Sequence, residues 1–248
     1  MERIFAIPCK YSDDNPFIYN CIDSIRKYHN DKIVVVDSDS DDKSYLDVIK
    51  DRYSNVDVLD IKNNNFMTGT IWETYKKYKV NYYYFLHDST EILGSLLDYE
   101  KYDIVPILKS SDWEWPEWNG KRTSKWARNE IKKTPFEFKE DGFDVVIGPM
   151  FIIKNEILYK LQKLNFDKIL PTNKSEMEMM ERLWGLAFDS LGFKFSDNVV
   201  LRNRSGAVKP IGTKTLKNYK NNKDIDVIVK LGKKYKNDLI IKYWSGRK

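Results

Sequence analysis

A mixed α/β fold, with a mostly parallel central sheet flanked by helices, is the class this 248-residue sequence predicts. Three observations predict it. Strand-type and helix-type runs alternate through the first 89 residues, the pattern of a sheet built by helical crossovers. The run Ile33-Val34-Val35-Val36 is apolar throughout, as a strand covered on both faces must be. A hydrophobic content of 42% supports a full core rather than a disordered chain.

The elements follow in order. "RIFAIPC" reads as the first strand. "NPFIYNCIDSIRKYH" has helical spacing, with Phe17, Cys21, Ile22, Ile25 and Tyr28 on one face, Asn15 as cap and Pro16 at the first helical position. "KIVVV" is the second strand, "KSYLDVIKDRY" a helix, and "VDVLDI" the third strand. "TGTIWETYKKY" is helical and "NYYYFL" is the fourth strand. Beyond Ser89 the alternation loosens. "YDIVPIL" and "FDVVIGPMFII" each read as a strand, "NEILYKLQKL" and "SEMEMMERLWGLAFDSLG" as helices, and "NVVLRN" as a last short strand. The segment from about Lys214 reads as mostly helical. No internal repeat and no Pro/Gly/Ser-rich linker divides the chain.

The net charge of +5 is unevenly distributed. Residues 214–248 hold eleven Lys/Arg and three Asp, a local balance of +8 that leaves the rest at −3. The basic character therefore belongs to the tail, and nucleic-acid binding is not expected of the core. Two readings of the tail stand. It contacts an anionic membrane surface or another polyanion, or it is a solvated lysine-rich helix packed on the core through Ile225, Ile228, Leu231 and Leu239. The general excess of Lys, Asn and Tyr, as an AT-rich viral or bacterial genome would produce, favours the second. Two cysteines, Cys9 and Cys21, make no disulfide framework and no zinc spacing, which suits a cytoplasmic setting (host cytoplasm if viral). No run approaches the length of a membrane span or a signal peptide.

Ligands of open parallel sheets sit beyond the carboxyl ends of the strands. Three polar clusters fall there: "PCKY" from Pro8, "DSDSDD" from Asp37 and "HDST" from His87. The turn Pro8-Cys9-Lys10-Tyr11 can offer backbone N–H groups and the Tyr11 ring to a base, or be an ordinary loop. Carboxylates at a strand end can accept from a base or from ribose hydroxyls, which assigns Asp37 and Asp39 to a ligand. Asp41 and Asp42 are placed in the turn, with Asp42 or Ser44 capping the next helix. A diphosphate leaving group needs a divalent cation or fixed cations, and Asp88, with His87 and Ser89, is the candidate metal ligand set. On the long helix, Glu178 and Arg182 are spaced to pair. A carboxylate near that helix start could serve as general base, although periodicity alone favours a solvated charged face. Trp113, Trp115, Trp118 and Trp126 lie in a polar loop, where they either stack on sugars or pack the loop.

Taken together, these clusters resemble a GT-A-type glycosyltransferase, close to the inverting family-2 pattern, over roughly residues 3–200. "AIPCKYSDDNPFIYNCIDSI" resembles that family's opening strand, turn and helix. "IVVVDSDSDD" resembles its nucleotide-holding stretch, with Asp37 on the first aspartate. "NYYYFLHDST" resembles its metal-binding stretch, with His87 and Ser89 where the family has aspartates and only Asp88 acidic. "IGPMFIIKNEIL" resembles the acceptor-side strand and helix, and "SEMEMMERLWGLAFDSLGFKF" the segment with the catalytic base. The resemblance implies a Rossmann-like nucleotide-diphospho-sugar transferase domain over 1–213, with a nucleotide half (1–100) and an acceptor half (101–213), followed by a basic helical tail over 214–248. It implies a nucleotide set of Pro8, Cys9, Tyr11, Asp37, Asp39, Thr68, His87 and Asp88, and a Mn²⁺ or Mg²⁺ ion at His87, Asp88 and Ser89. Acceptor contacts fall on Trp113, Trp115, Trp118, Gly148 and Met150. Glu176 aligns with the base, with Glu178 as the alternative. The expected partners are a nucleotide-diphospho-sugar donor, UDP-linked first, and a glycan or lipid-linked acceptor, with peripheral membrane contact through the tail. Rival readings are a transferase-like binding module without catalysis, a nucleotidyltransferase on the same fold, and an RNA binder using the tail. "PCKYSDDNP" lacks the glycine-rich phosphate loop of the nucleotidyltransferase.

Overall fold

The structure, a computed structural model, describes residues 1–11, 17–62, 65–110, 117–118, 121–122, 124–193, 201–203, 206–208, 213–217 and 239–244. For 110, 117–118, 121–122, 201–203, 206–208, 213–217, 241 and 243–244 the backbone alone is described. Asn15, Pro16, Trp113, Trp115, Ile225, Ile228 and Leu231, and the Trp118 side chain, lie outside that description.

The first half alternates as expected: β1 (Arg3–Cys9), α1 (Phe17–Arg26), β2 (Lys32–Asp37), α2 (Ser44–Arg52), β3 (Val56–Asp60), α3 (Phe66–Lys77) and β4 (Tyr82–Phe85). Then come β5 (Thr90–Ile92), β6 (Ile104–Pro106), β7 (Lys109–Ser110), the hairpin β8 (Glu117–Trp118) and β9 (Lys121–Arg122), and α4 (Lys125–Ile131). The chain continues through β10 (Val145–Val146), β11 (Phe151–Lys154), α5 (Asn155–Lys163) and α6 (Lys174–Ser190). Short strands β12 (Leu201–Asn203), β13 (Gly206–Val208), β14 (Thr213–Lys217) and β15 (Ile240–Trp244) complete it.

The main sheet has six strands in the order β3-β2-β1-β4-β11-β6. The first four are mutually parallel, and β11 alone runs against its two neighbours. The two sequence halves expected on either side of residue 100 therefore share one sheet. Ile4, Phe5, Ala6 and Ile7 on β1 and Ile33 to Val36 on β2 are fully buried, as covered parallel strands should be. The aromatic excess goes largely inward. Trp72, Trp184, Phe85, Phe151, Phe166 and Phe188 form one buried cluster, with ring centroids 4.8–5.8 Å apart along its contacts. Each such ring contributes on the order of 1.5–3 kcal/mol through burial.

Several sequence readings need correction. The α1 helix ends at Arg26, so Tyr28 leaves the buried face and is 42% exposed. Trp126 sits on α4, half-buried against the core, rather than in an open loop. "FDVVIGPMFII" is not one strand: β10 and β11 are separate, and Gly148 between them has φ +63°. In the tail, residues 213–217 and 240–244 are strands rather than helix, and β15 lies between β14 and β5 in a three-stranded sheet. Local lysine content cannot report such pairing, because it depends on a partner strand some 150 residues away. Among the described residues no helix is long and apolar enough to cross a membrane.

Candidate active site at the carboxyl end of the sheet

The register brings the three polar clusters together. Cys9 pairs with Asp37 across β1 and β2, and Ala6 pairs with Phe85 across β1 and β4. Ser38 N donates to the Cys9 carbonyl and Leu86 N to that of Ala6. Tyr11, the Asp37 loop and His87 therefore leave the sheet at the same end.

At the end of β2, the Asp37 carboxylate is 0% exposed and organises its own loop. Its Oδ1 accepts from Ser40 N at 3.0 Å, and its Oδ2 accepts from the Tyr45 hydroxyl at 2.7 Å. Lys43 Nζ stands 3.8 Å from Oδ1 and also pairs with Asp60 at 2.8 Å, tying the ends of β2 and β3. Burial, then the field of Cys9 and the bond to Asp37, push the Tyr45 phenol up. The Tyr11 ring stacks on Tyr45, with centroids 4.5 Å apart and 7° between planes, and Tyr11 N donates to Ser40 Oγ. Asp37 is thus the support of an aromatic platform. Asp39 is exposed with φ +64°, a conformation rare for a residue other than glycine. The Ser38 hydroxyl is buried and has no hydrogen-bond partner among the described residues. Asp42 accepts from both Ser44 N and Ser44 Oγ, so it caps α2 as the sequence suggests. Tyr45→Phe would leave one buried Asp37 oxygen without its donor, and a stability loss of about 1–3 kcal/mol in chemical denaturation is the expected result.

At the end of β4, His87 is held on both ring nitrogens. Its Nε2 lies 2.7 Å from the Gly148 carbonyl oxygen and its Nδ1 lies 2.9 Å from Lys242 Nζ. A carbonyl can only accept, so the partners assign the proton to Nε2, and Nδ1 accepts from the lysine. Lys242 also donates to Ser89 Oγ and is 9% exposed. It comes from β15, whose register sets Lys242 opposite Thr90, one residue beyond Ser89. The strand is seated by a 2.7 Å bond from Leu93 N to the Leu239 carbonyl. Gly94 makes room for it, since a Cβ there would stand 2.6 Å from Leu239 Cδ2. Asp88 and Ser89 are buried. Cys21 Sγ donates to the His87 carbonyl, and its thiol is pushed up by burial and then by the field of Asp88. Neither cysteine is in a disulfide, and both are buried.

Gly148 connects this cluster to α6. Its N–H donates to Glu181 Oε1 at 2.7 Å while its carbonyl accepts from His87. A Cβ at Gly148 would stand 2.8 Å from His87 Cε1, and the positive φ adds to the need for glycine. Glu181 is 6% exposed, and burial raises its carboxyl from the ordinary 4.5 to about 7 against the opposing bond from Gly148. The result is a continuous chain, Lys242–His87–Gly148–Glu181, from β15 through the end of β4 and the turn between β10 and β11 to α6.

Other expected site residues lie elsewhere. Glu176 completes the start of α6: Asn173 Oδ1 accepts from Glu176 N, and Glu176 Oε2 accepts from Thr172 N and Oγ1. Arg182 donates to the Glu178 backbone carbonyl at 2.7 Å and also feels the fields of Glu181 and Glu178. Thr68 is sealed on the first turn of α3, and Met150 is 1% exposed under Thr90. Pro8 is half-buried within β1. Periodicity pointed to Glu181 only as one more charge on α6. Lys242 carried no local signal at all, since it is one of eleven basic residues in the tail.

The resemblance implied a divalent cation held by Asp88, His87 and Ser89. The residues present do not fit one: a lysine nitrogen bonds to both His87 Nδ1 and Ser89 Oγ, taking the donor atoms that such an ion would need. Among the described residues, no group of three or more His, Cys, Asp or Glu side chains could hold a metal ion. A separate depression of about 640 Å³ opens at the opposite end of the sheet, lined by Glu2, Lys79, Asn81, Tyr82, Glu100 and Lys154. It shares no residue with the strand-end cluster.

Fold and constellation together define an α/β protein with a polar site at the carboxyl end of a mostly parallel sheet. No family model and no curated protein sequence matches the chain. Among solved structures the chain is similar to S. aureus TarS 1–349, with 16% identity, 77% of this chain and 55% of that chain covered, and a TM-score of 0.44. It is similar also to S. aureus TarS, with 15% identity, 77% and 34% covered, and a TM-score of 0.46. A third is S. aureus TarS 1–349 in complex with UDP, with 16% identity, 74% and 55% covered, and a TM-score of 0.44. The chain thus spans about half or a third of the length of these structures. At such distances the chemistry of this chain rests on its own residues.

Proposed function

We propose that the chain is a glycosyltransferase that moves a sugar from a nucleotide-diphospho-sugar, UDP-linked first, to a hydroxyl of a glycan or other acceptor, with inversion. One observation carries the reading. A cationic amine (Lys242) and a carboxyl raised to about 7 (Glu181) are fixed at the two ends of one contact chain, at the strand end where the Asp37 loop also lies. Transfer to a hydroxyl asks for such a pair: positive charge to draw off the leaving group, and a base near neutrality for the proton.

In this reading the acceptor oxygen attacks the anomeric carbon. As that bond forms, the bond from the same carbon to the diphosphate breaks, and its electron pair leaves with the nucleoside diphosphate. The hydroxyl proton passes to a carboxylate on α6. Glu181 suits that role better than Glu176, whose carboxylate is occupied in capping. Tyr11, the Ser38 hydroxyl and Asp39 are the groups for base and ribose, with Asp37 as their support. A single displacement with one base inverts the anomeric centre.

The test is a nucleotide screen by thermal shift. UDP or GDP at about 100 times its Kd is expected to add about 2.7 kcal/mol of stability, a rise of roughly 5–10 °C for a chain this size. Asp39→Gly, which suits the left-handed backbone at that position, should reduce the shift without lowering the melting temperature of the free protein. Absence of stabilisation by any nucleoside diphosphate or sugar nucleotide, with and without Mn²⁺, would remove the proposal.

A further inference from the structure

We infer that His29 is a pH-operated clip: its neutral ring holds the segment that seats the tail strand β15, and its protonation releases that segment. The inference is independent of the transferase reading, and the clip uses none of the residues assigned to nucleotide or acceptor.

Residues 92–96 bond to the α1 region on one side and to the tail on the other. Ile92 N donates to Ser24 Oγ on α1 at 3.1 Å, and Leu96 N donates to His29 Nε2 at 3.2 Å. Between these two anchors, Leu93 N donates to the Leu239 carbonyl at 2.7 Å, and Gly94 packs against the Leu239 side chain. The tail is therefore seated on a stretch whose far end is held by an imidazole.

His29 is buried against the Phe5 and Tyr84 rings, with centroids 4.9 Å and 6.2 Å away. A backbone N–H can only donate, so Nε2 accepts and the proton of the neutral ring sits on Nδ1. Nδ1 makes no hydrogen bond among the described residues and stands 3.7 Å from Asp31 Oδ2. A second proton can enter only at Nε2, where it meets the Leu96 N–H. Two donors cannot share that contact, so the cationic ring must give up Leu96. The same cation has a carboxylate close by, and a short movement brings Nδ1 into hydrogen-bond range of Asp31. The ring thus has two arrangements, one for each charge state.

The surroundings set the direction. Burial holds the imidazole below its ordinary 6.5; Asp31 and Glu100 oppose that, and Arg3 adds to it. Arg3 bonds to both of these carboxylates, Tyr84 donates to Glu100, and Arg26 donates to the His29 carbonyl. The folded chain therefore resists a proton that the unfolded chain accepts. The clip is complete above about pH 6.5 and is lost as pH falls through the lowered folded value.

Amide hydrogen exchange of the full chain, followed by NMR from about pH 7.5 to about pH 4.5, tests the inference. Protection of the Leu96 amide is expected to fall by up to about 10-fold per pH unit below about pH 6.5. The Leu93 amide should lose protection with it, while the amides of β2 keep theirs. His29→Gln, whose side-chain oxygen can still accept the Leu96 N–H but does not titrate, should make both independent of pH. Asp31→Asn removes the carboxylate that receives the cation and should move the loss to lower pH. Titration of the His29 ring resonances in the wild-type protein locates the same transition without any substitution. Constant Leu96 protection over this range, or an equal fall in His29→Gln, would overturn the inference. Loss at Leu96 with Leu93 unchanged would overturn its extension to the tail strand.

Discussion

Glu181→Gln is expected to lower sugar transfer by about 10²- to 10⁴-fold while the protein stays folded. Glutamine can still accept the Gly148 N–H, so the loop between β10 and β11 keeps its support. What it loses is the ability to take a proton. The pH dependence gives a second readout. A base must be ionised, so wild-type turnover is expected to rise with pH through about 7, the value to which burial lifts this carboxyl. Stability should move the other way. The folded-state value lies above the ordinary 4.5, so the native state holds the proton more tightly than the unfolded chain does. The contribution is complete below about pH 4.5 and is lost as pH rises towards 7, by roughly 3 kcal/mol in total at 1.36 kcal/mol per pH unit. Glu181→Gln should flatten that slope in denaturation curves measured from pH 4.5 to 8. Wild-type turnover would take Glu181 out of the base role, and an unchanged slope would take it out of the pH dependence of stability.

Gly185→Ala is expected to be the most destabilising single substitution considered. A Cβ on Gly185 would stand 1.9 Å from the Asp144 carbonyl oxygen and 3.3 Å from the Val145 Cα. These are backbone atoms, so no side-chain rotation relieves the clash. Either α6 withdraws from β10 or residues 144–146 shift, and both movements disturb the turn that carries Gly148. Overpacking against backbone is expected to cost about 3 kcal/mol or more. For a chain of this length that lowers the melting temperature by roughly 6–12 °C, measurable by calorimetry. Because Gly148 and Glu181 depend on the same contact, catalysis should fall as well. A melting temperature within about 1 °C of wild type would mean that the close approach of α6 is not needed.

Much of this architecture was legible in the linear pattern. The apolar runs of β1, β2 and β4 are short and strong, and their polar sequels fall at one sheet end for topological reasons. The capping role of Asp42 was also readable, because it acts on a residue two positions away. Asp37 was recognisable as a strand-end carboxylate, but what it holds was not. A strand-end carboxylate looks the same in sequence whether it faces a ligand or holds a loop. Only the fold shows Tyr45, Ser40 and Lys43 converging on it.

The sequence by itself determined the class of fold and where its polar clusters had to lie, because strand period, helix spacing and caps are local and act over a few residues. The tertiary structure decided which groups meet at that end of the sheet. It broke "FDVVIGPMFII" at Gly148, where the chain needs a left-handed residue and a gap for His87. It buried Glu181 among the carboxylates of α6, where periodicity registers only a charged position. It also brought Lys242 to Ser89, 153 residues away in the chain. Such contacts depend on sheet pairing at long range, and no stretch of sequence records its partner.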